Sequence, residues 1–167
     1  ALRQALDMLF EEGLDNVFLR HRLLAEAVRR AVAKWAEGQA LVFNIAEAEE
    51  RADTVTTVVM NGRTDPRRLV DYCNKKCGVV LGIGLGKLSG KAFRIAHMGH
   101  INAPMILGTL GAVEVALKAL RIPHGEGGAQ AANNILRAIR GEPPTPFRYR
   151  NYGNVAVIGR GSAVVDI

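Results

Sequence analysis

The sequence predicts an α+β fold: a small, mostly antiparallel sheet covered by helices, followed by a short helix–strand tail. Three observations carry that reading. Runs rich in β-branched residues, "ALVFNI" at 40–45 and "TVTTVVM" at 54–60, are interspersed with stretches of helical periodicity. Strand and helix mix without the regular βαβ rhythm of a parallel sheet, so helices on one sheet face are expected. After residue 132 the texture changes to a short helix, a proline-rich stretch and two apolar runs. At 167 residues the chain is long enough to bury a sizeable core.

Leu2, Leu6 and Leu9 recur at helical spacing, and Gly13 supplies a stop. Asp15 or Asn16 is placed to cap a second helix. Its buried stripe runs Val17, His21, Leu24, Val28, Val32 and Trp35, ending at Gly38. The acidic "EAEE" between the first two strands reads as a solvated loop, and Asn61-Gly62 as a turn. Asp65 caps a third helix with Pro66 at its first position and Leu69, Val70 and Cys73 facing inward. "GVVLGI" (78–83) and "KAFRIAH" (91–97) read as the next two strands. Asn102 caps the last long helix, whose stripe is Ile106, Leu110, Val113, Leu117 and Leu120, and "RIPHGEGG" (121–128) ends it. Beyond it, "NNILRAIRG" is a short helix, "EPPTP" is extended, and "NVAVIG" and "SAVVDI" are strands. The boundary falls near 127–133, giving units 1–132 and 133–167. Both ends read as cuts in a longer protein, since Ala1 lies inside a helical pattern and "AVVDI" carries no stop.

Apolar residues make up 49% of the chain and charged residues 23%, ordinary globular usage. No apolar run approaches the roughly 20 residues of a membrane span, and no signal segment opens the chain. No membrane association and a cytoplasmic location are therefore expected. Cys73 and Cys77 give no disulfide framework, which suits a reducing compartment. The formal charge of +6 is spread thinly, with 17 Lys+Arg against 14 Asp+Glu in 1–132 and 5 against 2 in 133–167. Nothing forms a basic stripe. "FRYR" interleaves Phe147 and Tyr149 with Arg148 and Arg150, but aromatics are 5% of the chain and no second stacking platform exists. No nucleic-acid partner is expected. Cys73, Cys77, His97 and His100 could be drawn as a zinc set, yet their spacing matches no common zinc module. Core cysteines and packing or capping histidines are expected instead, and no metal. His21 reads as a core or interface residue.

The stretch "VVLGIGLGKLSGKAFRIAHMG" (79–99) invites a phosphate-loop reading, and fails it. A Walker loop needs a hydroxyl after its lysine, where Leu88 follows Lys87, and Leu81 holds the place of its first glycine. A dinucleotide fingerprint begun at Gly82 meets Lys87 where its last glycine belongs, and begun at Gly84 meets Ser89. A strand follows rather than a helix, so no helix N-terminus receives an anion. What remains is Arg94. Strand alternation puts Phe93 and Ile95 on one face and Arg94 on the other. A guanidinium on an apolar strand is costly to hide without a planar anion, and a carboxylate fits its fork. An internal Asp or Glu would serve equally, and the pattern alone leans that way.

The motifs "NVFLRHRLLAEAVRRAV", "DTVTTVVM", "LGIGLGKLSGKAFRIAHMGHIN", "LGTLGAVEVALKAL" and "IPHGEGGAQAA" fall in order. Together, over residues 1–132, they resemble the C-terminal small domain of serine–glyoxylate and alanine–glyoxylate aminotransferases. These are class V members of the fold-type I pyridoxal-phosphate enzymes. The resemblance implies that Arg94 binds the α-carboxylate of an amino or keto acid, and that the glycine loop is a close-packed approach to it. It also implies a homodimer in the complete enzyme and pyridoxal phosphate as cofactor. Ala96 stands where glycine is frequent in that family, and His100 where an acidic residue is common. The resemblance implies that the Schiff-base lysine and the aspartate pairing the pyridinium lie upstream of Ala1. Lys34, Lys75, Lys76, Lys87, Lys91 and Lys118 hold small-domain positions, so no catalytic residue is assigned and this chain alone should not transaminate. The alternatives are a fragment of a flavin-dependent type II NADH dehydrogenase, which rests on the tail alone, and a folded, self-associating remnant without catalysis. "AANNILRAIRGEPPTPFRYRNYGNVAVIGRGSAVVDI" resembles instead a late segment of type II NADH:quinone dehydrogenases over residues 130–167. The chain thus reads as a composite joined near "QAA" at 130–132. The nucleotide-binding glycine motifs of such dehydrogenases are absent, so FAD and NADH are not expected.

Overall fold

The computed structural model describes residues 2–62, 64–139, 141–145, 154–159 and 162–166. Helices α1 (Leu2–Glu12) and α2 (Leu14–Ala36) precede strands β1 (Leu41–Phe43) and β2 (Val55–Met60). Helix α3 (Pro66–Cys77) leads to β3 (Gly82–Ile83) and β4 (Ala92–Ala96), then to α4 (Ala103–Ala119) and α5 (Gly128–Ile139). Strands β5 (Asn154–Gly159) and β6 (Ser162–Asp166) pair antiparallel as a separate two-stranded sheet. The main sheet has the order β1-β2-β4-β3, and every pair in it is antiparallel. The fold is therefore α+β, as the sequence pattern requires. "FRYR" lies outside the described residues.

One sheet face carries the core. Thr56, Val58 and Met60 of β2 and Phe93 and Ile95 of β4 are buried on it, against Val28, Val32 and Trp35 of α2, Leu69 and Cys73 of α3, and Ile106, Leu110, Val113 and Leu117 of α4. In register with them but on the reverse face stand Val55, Thr57 and Val59 opposite Ala96, Arg94 and Ala92. All but Ala92 are half-buried or exposed there. The expected apolar stripes of α2 and α4 are thus the inner faces of those helices, except that His21 is half-buried and Leu120 closes α4 as its C-cap.

Caps fix the helix starts. Asp65 accepts from the Arg67 amide at 2.8 Å and Asn102 from the Met105 amide at 3.0 Å, as expected for both. The cap of α2 differs. Gly13, at φ 83, occupies that position without a side-chain bond, while Asn16 donates back to the Glu12 carbonyl at 2.9 Å. Helices α1 and α2 therefore meet at Gly13, whose amide donates to the Leu9 carbonyl as α1 closes and whose carbonyl accepts from the Val17 amide as α2 opens.

Several strands are shorter than their apolar runs. Residues 40–45 yield only Leu41–Phe43, and 78–83 only Gly82–Ile83, although β2 runs on from Val58 to Val55 and β4 from Arg94 to Ala96. The acidic loop contains a short 3-10 turn at Ala48–Glu50. Helix α5 begins at Gly128 rather than at 133, running across the expected junction, and packs on α2 and α4. Its early start has a cause in α4. Glu114 accepts from the Gly127 amide at 2.6 Å and from the Ala129 amide at 2.7 Å, placing a carboxylate on otherwise orphaned donors. From the far side, Thr145 and Asn134 exchange two bonds of 2.9 Å, folding residues 142–145 back on α5.

Replacing Glu114 with Ala removes both bonds and should cost about 2 kcal/mol, lowering Tm by roughly 4–8 °C. Glu114→Gln, which keeps one acceptor, should lose less. Thermal unfolding followed by circular dichroism checks this, and equal Tm values for all three proteins would refute the capping role.

Candidate functional site

The site begins with the alternation of β4. Phe93 and Ile95 are buried beneath the sheet, so Arg94 emerges on the open face, between Thr57 of β2 and Gly82 of β3. Its Nε donates to the Ile83 carbonyl at 2.8 Å. No carboxylate pairs with it among the described residues, so the internal Asp or Glu partner is not there. Among the described residues neither Nη group has a protein acceptor, and the half-exposed fork lies in a geometry suited to a planar anion. Beside it, Thr57 lines a cleft of about 300 Å³ with Phe43, Asn44, Arg51 and Val55. Arg51 stacks on Phe43 at 3.9 Å and closes that cleft's far side.

The glycine loop shapes this edge rather than cradling an anion. Gly84 bonds to the Ala92 carbonyl at 2.9 Å, and a Cβ there would fall 2.1 Å from the Leu88 carbonyl oxygen. The loop folds onto itself through a 3-10 turn at Gly86–Leu88, and any side chain at 84 would pry it open.

Two histidines and one arginine secure the segment that leaves β4. His97 is fully buried, with Nδ1 donating to the Asp53 carbonyl at 3.1 Å and Nε2 accepting from the Thr56 hydroxyl at 2.9 Å. Burial pushes its pKa down to about 4, so the ring stays neutral at pH 7. His21 holds the other side. Its Nδ1 donates to the Val17 carbonyl at 2.7 Å, while Nε2 accepts from the Gly99 amide at 3.0 Å. The next-door Arg20 donates to the carbonyls of Gly99 at 2.8 Å and Ile101 at 3.1 Å. Glu12 grips the same guanidinium in a bidentate pair of 2.6 and 2.8 Å, which holds the Glu12 carboxyl below its usual range. His21 is thus a loop anchor rather than a core residue. The Arg20 role was invisible in the sequence, because Glu12 lies eight residues away across the Gly13 bend.

No family model matches the chain. Serine–glyoxylate aminotransferase of Arabidopsis thaliana is 39% identical over 138 residues, which are 81% of this chain and 33% of that enzyme. The enzyme of the same name from Methylorubrum extorquens is 38% identical over the same share of each chain. Most of this chain resembles the small domain of class V aminotransferases. The crystal structure of pyridoxamine–pyruvate aminotransferase from Mesorhizobium loti superposes with a TM-score of 0.72 at 30% identity, covering 80% of this chain and 34% of that one. The chain therefore spans about a third of the length of the curated relatives it matches.

The residues of this aminotransferase-like unit do not fit pyridoxal phosphate. A Schiff-base lysine must give up its proton, which burial favours. Lys34 is paired with Glu37 at 2.6 Å and Lys75 with Asp71 at 3.3 Å. Lys76, Lys87, Lys91 and Lys118 are exposed. The zinc-like set is also dispersed. The Cys73 thiol donates to the Ala112 carbonyl in the core and burial pushes its pKa up to about 11, while both His97 nitrogens are engaged. Among the described residues no cluster of three or more His, Cys, Asp or Glu side chains could hold a metal ion. Nor is any described helix long and apolar enough to cross a membrane.

His97 makes stability depend on pH. Unfolded, the imidazole binds a proton near pH 6.5; folded, it does so only near 4. Stability should be full above about pH 6.5 and fall by roughly 3 kcal/mol as the pH drops to about 4. Urea unfolding at stepped pH should show this slope, and His97→Gln should flatten it. An equally steep slope in that variant would place the titrating group elsewhere.

Proposed function

We propose that residues 1–132 are the substrate-clamping small domain of a pyridoxal-phosphate-dependent serine–glyoxylate or alanine–glyoxylate aminotransferase. In that reading Arg94 grips the α-carboxylate of a small amino or keto acid. The observation that carries it is the fork of Arg94 on the open face of the sheet, without a carboxylate partner among the described residues. Arg94 holds the substrate's carboxylate end in one orientation. Pyridoxal phosphate, which the residues of this unit do not fit, would be held elsewhere in the longer enzyme and would supply there the electron sink for moving nitrogen. In this reading the cofactor's lysine belongs to a further part of such an enzyme, which works as a homodimer. The free thiols Cys73 and Cys77 suit a cytoplasmic location. Residues 133–167 are proposed as a separate, dehydrogenase-like segment that shares helix α5 with the first unit.

In a longer enzyme carrying this unit, Arg94→Ala should cost ~2–5 kcal/mol of carboxylate recognition, a loss of roughly 30-fold to several-thousand-fold in kcat/KM for glyoxylate. Cofactor absorbance should persist. An unchanged kcat/KM would sink the assignment.

A second reading, self-association without catalysis, draws on α1. None of its residues is buried, and Leu2 and Phe10 are 75% and 68% exposed, with Phe18 of α2 at 64% nearby. Sedimentation velocity of the 167-residue chain should then show mass rising with concentration. Phe10→Glu should abolish that rise, whereas a monomer at every concentration removes this reading.

A further inference from the structure

Arg94 does not simply extend from its strand. Its Nε is tied to the Ile83 carbonyl at 2.8 Å, which draws the guanidinium toward β3 at the edge of the sheet. The residue it crosses there is Gly82, its register partner on the same face. A Cβ on Gly82 would lie 3.2 Å from both Cβ and Nε of Arg94, closer than carbon normally approaches, and in contact with its Nη2 at 3.4 Å. Gly82 is not among the glycines with positive φ, so its backbone would accept a side chain without strain. Space for Arg94, not backbone conformation, is what glycine provides at this position.

We infer that Gly82 is a positioning residue for Arg94: its bare Cα lets the guanidinium lie over β3, where the Ile83 carbonyl fixes the direction of the fork. With Nε consumed by that carbonyl, a side-on grip through Nε and Nη is closed. The two Nη groups are left for an end-on, bidentate grip on a carboxylate. This rests on the proposed reading of Arg94 as a carboxylate anchor. The orientation of the fork can be measured without any substrate.

The test uses the 167-residue chain labelled with ¹⁵N-arginine. The Arg94 Nε–H signal is assigned by its loss in Arg94→Lys. In the parent chain its hydrogen exchange should be slower than that of the exposed Arg3 by about tenfold, the scale of one hydrogen bond to a charged group. Gly82→Val should erase that protection while the amides of Phe93 and Ile95 keep theirs, because valine suits a strand but its methyl groups displace the guanidinium. Gly82→Ala, which asks for only a few tenths of an ångström, should fall between. Unchanged Nε–H protection in Gly82→Val overturns the inference. So does loss of protection together with the Phe93 and Ile95 amides, which would mean that Gly82 only keeps the strand intact. Glyoxylate added to the parent chain separates the two readings. No response at Arg94 to glyoxylate, with the Gly82→Val effect present, refutes the carboxylate anchor and leaves the positioning role standing.

Discussion

Strand β4 lies inside a sheet whose helices cover one face only, so its side chains must divide by alternation. Burying Phe93 and Ile95 yields about 1.5–3 kcal/mol each. A slip of one residue would expose both and drive a guanidinium into the core, at a further cost of several kcal/mol. The register is thereby fixed from both directions. Everything at the site inherits it: Thr57 and Gly82 flank Arg94 because Phe93 must meet Val58 and Ile83. The outward presentation of a charged fork is thus a consequence of core packing two atoms' depth away, and the same residues that stabilise the fold aim the site.

How far this could be read from sequence differs by element. The alternation around Arg94 was legible because period two is a local property, carried by three consecutive residues. The caps at Asp65 and Asn102 were equally local, each a side chain meeting an amide two or three residues on. What escaped was set by distant partners. The short extents of β1 and β3 follow from how few of their residues pair with β2 and β4, not from their own apolar runs. The start of α5 depends on Glu114, thirteen residues before Gly127, and the loop anchors Arg20 and His21 act on residues about eighty positions later. A pattern read along the chain holds no record of such pairs. The missing cap at Asp15 or Asn16 has a different origin. Gly13, at φ 83, takes the cap position itself as α1 ends, which leaves Asp15 and Asn16 inside the first turn of α2, where neither can cap it.

The glycines of 82–90 show how one composition can serve opposite ends. In a phosphate loop, glycines free backbone amides to converge on an anion. Here Gly84 spends its amide on Ala92 and its bare Cα on the Leu88 carbonyl, so the loop closes upon itself. The anion-directed group is a side chain on the following strand, and the loop's task is to bring β3 close beside it. Sequence spacing already told against a phosphate, because no helix follows; the packing supplies the positive reason for the glycines.

The contrast between Arg94 and the lysines explains what a unit of this build can contribute to chemistry. Guanidinium keeps its charge whatever its surroundings, so a half-open sheet face suits it and the bound anion completes its pairing. A lysine that forms a Schiff base needs the reverse: a desolvated pocket that strips its proton at neutral pH. A sheet with helices on one side has its desolvated volume in the core, already filled by Trp35, Phe93 and the helix stripes. Its open side is wet, and the described lysines, on α2, α3 and α4 and in the loop before β4, stay exposed or pair with carboxylates. Clamping a carboxylate and activating an amine therefore call for different architectures. A one-sided sheet provides the first, and only a second body closing over its open face could create the dry volume that the other requires.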